Sequence, residues 1–430
     1  MSRRASRRQR TRPWMGGLVL VAVLILAMCG GAAATALSDQ SGDAPAGSKK
    51  STAPPTTGAT TAAQGVSAAA GGNPHPTKTH KPRPTTTTTT ASTTTTSAPT
   101  TTTTPGTQVK IPLPRFSDML VDEARGRLYI TGGTGTGTIV VTDLDGGNLR
   151  TLDGYFKGAA GMTLSPDGTK LDVALSDSDG IAIIDTETFA IDFYYVGTHD
   201  GVPTCPRDLA WASGQLWFSW GCQSSPFAGI GRVDPVTRDY NLNAAPTDTR
   251  ISSPALLATV PSQPDMVIAG TTGASPSTLF RFEATPTQLV QRAWRWTDGG
   301  FIAQLAITPD GSQVIVPSGS PYYHPVMRTS DLVEVHRYPT AAYPNAVAIR
   351  PDGLVAAGIL GYYEKDVYIF EPGGTTPIAT YEFGHLPGQE TWAYTLVEGG
   401  LAWGRGNRFY AVSEQLSEPD VVTLRILEVP

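Results

Sequence analysis

Reactive side chains are what this sequence has least of. It holds six histidines and three cysteines in 430 residues, and only 16% of its residues are charged. No Gly-x-Ser-x-Gly elbow and no His-Glu-x-x-His pair occurs, and no glycine loop of the phosphate-binding type. The sequence signatures of an elbow serine hydrolase, a helical zinc protease and a P-loop nucleotide site are therefore missing. Gly132 to Thr138 is rich in glycine, but it joins two strand-like runs instead of opening a helix, so it is not a nucleotide cradle. Ser176-Asp-Ser-Asp-Gly180 has the acidic spacing of a calcium loop without the distal glutamate that completes an EF-hand, and it reads as a polar connection. His199, His324 and His385 fall on three separate loops with no ligand spacing between them.

Charge and apolar residues are each missing from one long stretch of the N-terminal quarter. Residues 1–12 carry six arginines and no acid, and Met15 to Ala36 then contains no charged residue. That run is long enough to cross a bilayer as a helix. Basic residues before an apolar run keep the N-terminus in the cytoplasm and send the rest across. The reading is a cytoplasmic arm over residues 1–14 and a transmembrane anchor or signal segment over 15–37. Ala34-Thr35-Ala36 resembles a signal-peptidase site, and Leu26 to Cys29 resembles a lipoprotein box except that Met28 stands where a small residue is needed. The expectation is an uncleaved, single-pass anchor in the cell membrane with an extracellular C-terminal head; secretion after cleavage is the alternative.

Residues 38–107 offer almost nothing to a core. They are threonine, proline, alanine, glycine and serine, ending in runs at Thr85–Thr90 and Thr93–Thr96. Such a segment buries too little apolar surface to offset the entropy of ordering it, so a disordered linker is expected. Proline stiffens it toward polyproline II at roughly 3.1 Å per residue, which gives a reach on the order of 200 Å when fully extended. That suits a stalk through a cell wall, and clustered threonine beside proline has the composition of an O-glycosylated one. The net charge is −5. With the basic arm set aside the remainder is more acidic than that, which argues against nucleic acid as a partner.

No helical periodicity occurs after residue 110. Short β-branched and aromatic runs alternate there with Gly, Pro, Asp and Asn. The turn between the first two strands of a repeated unit can be followed through Gly126, Gly168, Gly214, Pro264-Asp265, Gly311, Gly353 and Gly406, at spacings of 42 to 53 residues. Units of ~40–50 residues built from short strands are the blades of a β-propeller. In the second unit the strands are Gly161–Leu164, Leu171–Leu175, Ile181–Ile184 and Ala190–Tyr195; in the sixth they are Ala346–Ile349, Val355–Ile359, Asp366–Phe370 and Ile378–Phe383. The fold class is all-β: a seven-bladed propeller of four-stranded blades over residues 108–430. The last unit offers only Leu401–Trp403, Phe409–Val412 and Val421–Val429, so Gln108–Leu113 is expected to supply its fourth strand and close the ring. Asp143, Asp185, Asp234 and Asp331 end third strands, and Asp167, Asp310 and Asp352 sit in Pro-Asp-Gly turns. All seven suit aspartate's habit of bonding the backbone two residues on.

Leu164-Ser-Pro-Asp-Gly168, Ile307-Thr-Pro-Asp-Gly311 and Ile349-Arg-Pro-Asp-Gly353 are the sharpest copies of the turn. Through them the region resembles the seven-bladed propellers of the YVTN and lactonase-like group, which includes lactone hydrolases, a lyase and pure binding modules. No tryptophan–aspartate pair closes the units. The resemblance implies a fold and leaves the activity open.

Cys205 precedes the first strand of the third unit and Cys222 follows its second. Adjacent antiparallel strands bring such positions to one end of the sheet, and an extracytoplasmic site favours oxidation, so a disulfide is expected. Loops entering each first strand, and loops joining second to third strands, share one face of a propeller around the channel mouth. There the sequence places Asp118, Arg207, Asp208, Gln304 and Asn345, together with Trp220, Tyr322, Tyr323, His324, Tyr362, Tyr363 and Glu364. His199, Trp294, Trp296, His385, Trp392 and Tyr394 follow on the entering loops. Flat aromatics beside amides and carboxylates suit a sugar or an extended peptide. The expectation is a monomeric, cofactor-free binding head for an envelope glycan, peptide or protein partner. The alternatives are a lactone hydrolase or lyase with a divalent metal at the channel mouth, where Asp118, Asp208 and Asn345 are the candidate ligands, and a sensor or assembly scaffold.

Overall fold

The computed structural model describes residues 100–101, 106–222, 227–247, 249, 251–361, 365–384 and 393–430. All of these belong to the unit from Ala91 to Pro430. The expected anchor, and the stalk up to Pro99, lie outside them. Every regular element among the described residues is a strand, and no helix among them is long and apolar enough to cross a membrane.

The strands form seven four-stranded antiparallel blades. From the inner strand outward, the first blade is Asp118–Asp122, Arg127–Thr131, Thr138–Asp143 and Arg150–Asp153, and the second is Ala159–Leu164, Lys170–Leu175, Gly180–Asp185 and Ile191–Tyr195. The third is Pro206–Ala212, Gln215–Trp220, Gly229–Val233 and Tyr240–Asn241, and the fourth is Ala255–Val260, Gln263–Thr271, Thr278–Ala284 and Leu289–Trp296. The fifth is Ala306–Ile307, Gln313–Ile315, Tyr323–Arg328 and Glu334–Pro339, and the sixth is Pro344–Ile349, Val355–Ile359, Val367–Phe370 and Ala379–Tyr381. Tyr394–Trp403, Arg408–Gln415 and Glu418–Glu428 make the seventh, and Thr107–Lys110 adds its fourth strand.

Burial explains why the middle strands read as continuous apolar runs. In the second blade Lys170–Leu175 and Gly180–Asp185 are buried along nearly their whole length, whereas the outer strand Ile191–Tyr195 is largely exposed. Both faces of a middle strand meet a neighbouring blade, so β-branched residues fill both. Seven apolar clusters result, and each lies between two successive blades. The cluster between the seventh and first blades joins Tyr410, Val412 and Leu424 to Leu128, Ile130 and Val140, so the ring is closed by packing as well as by hydrogen bonds.

The closing strand is shorter than expected. Thr107–Lys110 pairs antiparallel with Glu418–Glu428, placing Thr107 opposite Ile426 and Lys110 opposite Thr423. Ile111 still donates its amide to the Val422 carbonyl at 2.9 Å, and the side chains of Ile111 and Leu113 join the core between the seventh and first blades. Thr100–Thr101 runs parallel to Ala379–Thr380 on the outer edge of the sixth blade. The fourth-blade turn also differs: the chain turns at Pro261–Ser262, and Pro264–Asp265 falls inside the second strand. A bulge between Ala258 and Val260 leaves that pair out of the ladder, which is where a strand tolerates proline's missing N–H.

The turn aspartates act as their spacing implies. Asp143 accepts from the amides of Asp145 and Gly147, Asp185 from Glu187 and Thr188, Asp234 from Val236 and Thr237, and Asp331 from Val333. In the Pro-Asp-Gly turns Asp167, Asp310 and Asp352 accept from Thr169, Ser312 and Leu354. Cys205 and Cys222 form a disulfide with their Cα atoms 5.1 Å apart. A small hairpin of Thr198–His199 and Val202–Pro203, which the repeat pattern did not indicate, lies before the third blade.

Candidate functional site

Inner strands begin and second strands end on one face of the ring, its upper face. Four of the expected polar residues stand at the starts of inner strands, and each reaches a neighbouring blade. Asp118 accepts from the Met162 amide of the second blade at 2.8 Å, and Asp208 accepts from Leu257 of the fourth at 2.7 Å. Gln304 accepts from Val347 of the sixth blade at 2.7 Å and donates to the Leu401 carbonyl of the seventh. Asn345 donates to the Leu396 carbonyl at 2.9 Å. The polar ring therefore clasps successive inner strands around the channel. In the second blade the matching position is Gly161, where a Cβ would stand 2.4 Å from an Asp208 carboxyl oxygen.

Burial raises both carboxyls. Asp118 is pushed up to about 6, opposed by the amides of Met162 and Met119 and by Arg207. Asp208 is pushed up to about 7 by burial and then by the Asp118 charge. Every oxygen of the pair already accepts a backbone amide, since Met119 and Leu209 donate to the two that the neighbouring blades leave. Among the described residues no group of three or more His, Cys, Asp or Glu could hold a metal ion, and the Asp118, Asp208 and Asn345 set is committed to inter-strand bonds. The donor set does not fit a divalent ion.

Two cavities open on this face. One of about 190 Å³ lies against Asp118, Gly161, Arg207, Asp208, Gln304 and Gly399 at the channel. The other, about 590 Å³, is lined by Thr134, Ser176, Asp177, Ser252, Ser253 and Thr272, with the disulfide in its wall. Arg207 borders both. Glu398, solvent-accessible and within electrostatic reach of Arg207, has its pKa raised by burial among protein atoms.

The expected aromatics divide. Trp220 is 2% exposed, donates from its indole N–H to the Leu242 carbonyl and packs against His199 at 5.0 Å. His324 is fully buried, with its ring nitrogens on Thr340 Oγ1 and the Ala346 carbonyl, and burial lowers its pKa to about 4. These two belong to the packing between strands and are out of a ligand's reach, because the blades beside them close over the loop ends. Tyr323 lies under Arg337 and Tyr394 under Arg425. Tyr322 is open, 56% exposed, and meets Tyr343 edge-on. Trp294 and Trp296, 52% and 62% exposed, stand side by side on the outer strand of the fourth blade. Tyr362, Tyr363, Glu364, His385 and Trp392 lie outside the described residues.

Several open rings escaped the sequence reading. Tyr155 and Tyr195 are 67% and 65% exposed, and with Phe193 they line a third cavity of about 350 Å³. Phe301 and Tyr343 stand in upper-face loops. The pairs Phe193–Tyr195 and Trp294–Trp296 did carry a signal, since residues two apart on an outer strand share a face. Exposure is sided: apart from Tyr240, the exposed aromatics lie in upper-face loops or toward the upper ends of outer strands, whereas Leu149, Val236, Val333 and Ile378 are exposed at the lower side.

No known family pattern matches the sequence, and no curated protein matches it. Solved structures do. The β-propeller domain of Cps50 (Swd1) from Myceliophteria thermophila is 16% identical, with a TM-score of 0.54 over 75% of this chain and 100% of that one. Hydrazine synthase of Kuenenia stuttgartiensis is 14% identical, with a TM-score of 0.56 over 75% of this chain and 98% of that one. At such identity the likeness is one of fold. The region is a seven-bladed β-propeller. Fold alone leaves its ligand open.

Proposed function

We propose that this protein is an extracytoplasmic binding module. In this reading Met15 to Ala36 anchors it in the membrane, the Thr/Pro-rich segment is its stalk, and the propeller takes a glycan of the cell envelope on its upper face. The observation that carries the reading is the sidedness of its aromatics: Trp296, Tyr322, Tyr155 and Tyr195 are all more than half exposed on or beside one face. Rings held open in water at one end of a fold bury their faces against sugar C–H surfaces, while hydroxyls and amides nearby match the sugar's own. The resemblance to the YVTN and lactonase-like group, which includes pure binding modules, is compatible with this.

A hydrolase or lyase at the channel mouth is the second reading. It takes support from two carboxyls of raised pKa beside a cavity. Their full complement of amide bonds favours the structural role instead.

Binding of the full-length chain, in detergent, to a panel of envelope polysaccharides tests the proposal. Trp296→Ala and Tyr322→Ala are each expected to weaken capture by roughly threefold to tenfold and to leave the thermal midpoint unchanged. Capture that is indifferent to both substitutions would remove the upper face from the function. Turnover of a lactone or uronate substrate that is lost in Asp118→Asn would transfer support to the second reading.

A further inference from the structure

We infer that the recess between the first four blades, with Arg207 at its inner end, receives the carboxylate of an acidic sugar. The inference rests on the glycan-binding reading and names the class of glycan. Arg207 is half-buried, and its guanidinium makes no hydrogen bond or ion pair among the described residues. Arg125, Arg127, Arg232, Arg350 and Arg408, buried to a similar degree, each hold a partner on the protein. Five N–H donors in a fixed fork, drawn partly out of water, call for an acceptor of matching shape, and a carboxylate is the planar group that takes two of them at once.

The acids around Arg207 do not fill that place. Asp118, Asp208 and Glu398 lie within electrostatic reach of it, but the first two spend their oxygens on backbone amides. Arg207 instead extends toward Gly133 of the first blade, where its Nη1 stands 3.9 Å from the point a Cβ would occupy. Gly133 has a φ of +73°, a conformation that glycine adopts without strain, so the glycine-rich loop leaves open the ground in front of the guanidinium.

Beyond Arg207 the recess is lined by hydroxyls and by one carboxylate, Asp177, which accepts from the Gly135 amide at 2.7 Å. Thr134 and Ser176 bond one another at 3.0 Å, Thr272 donates to the Pro254 carbonyl, Ser252 is exposed, and the Ser253 hydroxyl is buried with no partner among the described residues. A volume of about 590 Å³ falls in the range that holds a small ligand. Among the described residues no aromatic lines this recess, and its apolar walls are Pro254 and the disulfide, so it offers little to an aromatic peptide side chain. A sugar ring bearing one carboxylate matches the lining: the carboxylate on the guanidinium, the ring hydroxyls on the serines and threonines.

The test is calorimetric titration of the full-length chain, in detergent, with a glucuronate-terminated oligosaccharide and with its glucose-terminated counterpart. The acidic sugar is expected to bind roughly tenfold or more tightly than the neutral one, as loss of a charge-assisted pair implies. Arg207→Gln is expected to abolish that preference. Ser252→Trp, an exposed position that leaves Arg207 in place, is expected to block both sugars, and it carries the test should Arg207→Gln not fold. Equal affinity for the two sugars, or a preference that survives Arg207→Gln, overturns the inference and leaves the glycan-binding reading intact. Absence of binding by either sugar, with Trp296→Ala equally without effect on capture of any polysaccharide, overturns both.

Discussion

At the scale of single residues, buried carboxylates do most to set how stability depends on pH. Asp172 is 2% exposed and accepts the Trp211 indole N–H at 2.8 Å, and burial pushes its pKa up to about 7. A folded-state pKa above the unfolded value means that the native protein holds a proton the unfolded chain has released. Stability is therefore lost as pH rises between about 4 and 7. Asp172→Asn keeps an acceptor for Trp211 and removes the charge. It is expected to match the parent at pH 4 and to exceed it at pH 8 by up to about 4 kcal/mol, the equivalent of moving a carboxyl from 3.8 to about 7. Urea unfolding at the two pH values measures this, and an unchanged difference would mean that the carboxylate is better solvated than its burial implies. His324 has the opposite sign: its folded pKa near 4 adds stability above about 6.5 that is lost as pH falls.

At the scale of elements, two devices hold parts that the repeat alone would leave loose. The disulfide ties the start of the third blade to the end of its second strand across 17 residues and borders the recess at Arg207. Closing a loop of that size contributes about 3 kcal/mol. Cys205→Ser with Cys222→Ser is expected to lower stability by that amount, read by denaturant unfolding, and reduction of the parent protein should match the double variant. The second device is the closing strand. A chain begun at Gly106 keeps Thr107–Lys110 on the last blade, whereas one begun at Leu113 exposes the edge of Glu418–Glu428 and removes Ile111 from the core. The longer form is expected to unfold cooperatively. The shorter one is expected to melt lower and to associate through the bare edge, which scattering during a thermal scan will report.

At the scale of the molecule, each core is shared by two blades, so no blade has a core of its own. Phe280 lies between the third and fourth blades and Phe409 between the sixth and seventh. Phe280→Ala and Phe409→Ala are each expected to cost about 3–5 kcal/mol in one transition common to the whole ring, with circular dichroism and tryptophan fluorescence coinciding. Separate transitions would show that blades unfold singly, as in an open array. Charge also acts at this scale. Residues 1–105 contain eleven of the 32 basic residues and two of the 37 acids, which leaves 21 bases against 35 acids in the propeller. That field repels polyanions, and it is screened beyond about 8 Å at physiological salt, so a single carboxylate can still dock at Arg207 where a densely charged chain is turned away.

Much of this protein follows from its sequence because the relevant physics is local. Asp143 and Asp167 bond amides two residues away, turns recur because glycine recurs, and middle strands are apolar because both of their faces are covered. Cys205 and Cys222 are near enough in the chain for strand geometry alone to bring them together. The site is different. Asp118, Asp208, Gln304 and Asn345 were legible as polar residues at one mouth, but their partners Met162, Leu257, Val347 and Leu396 lie roughly a blade's length farther along the chain. Only the packed ring makes those residues clasps, closes over Trp220 and His324, and leaves Arg207 without a partner among the described residues. A loop residue's environment is set by blades that the chain has not yet reached, and the side chain's own neighbours in sequence carry no record of it.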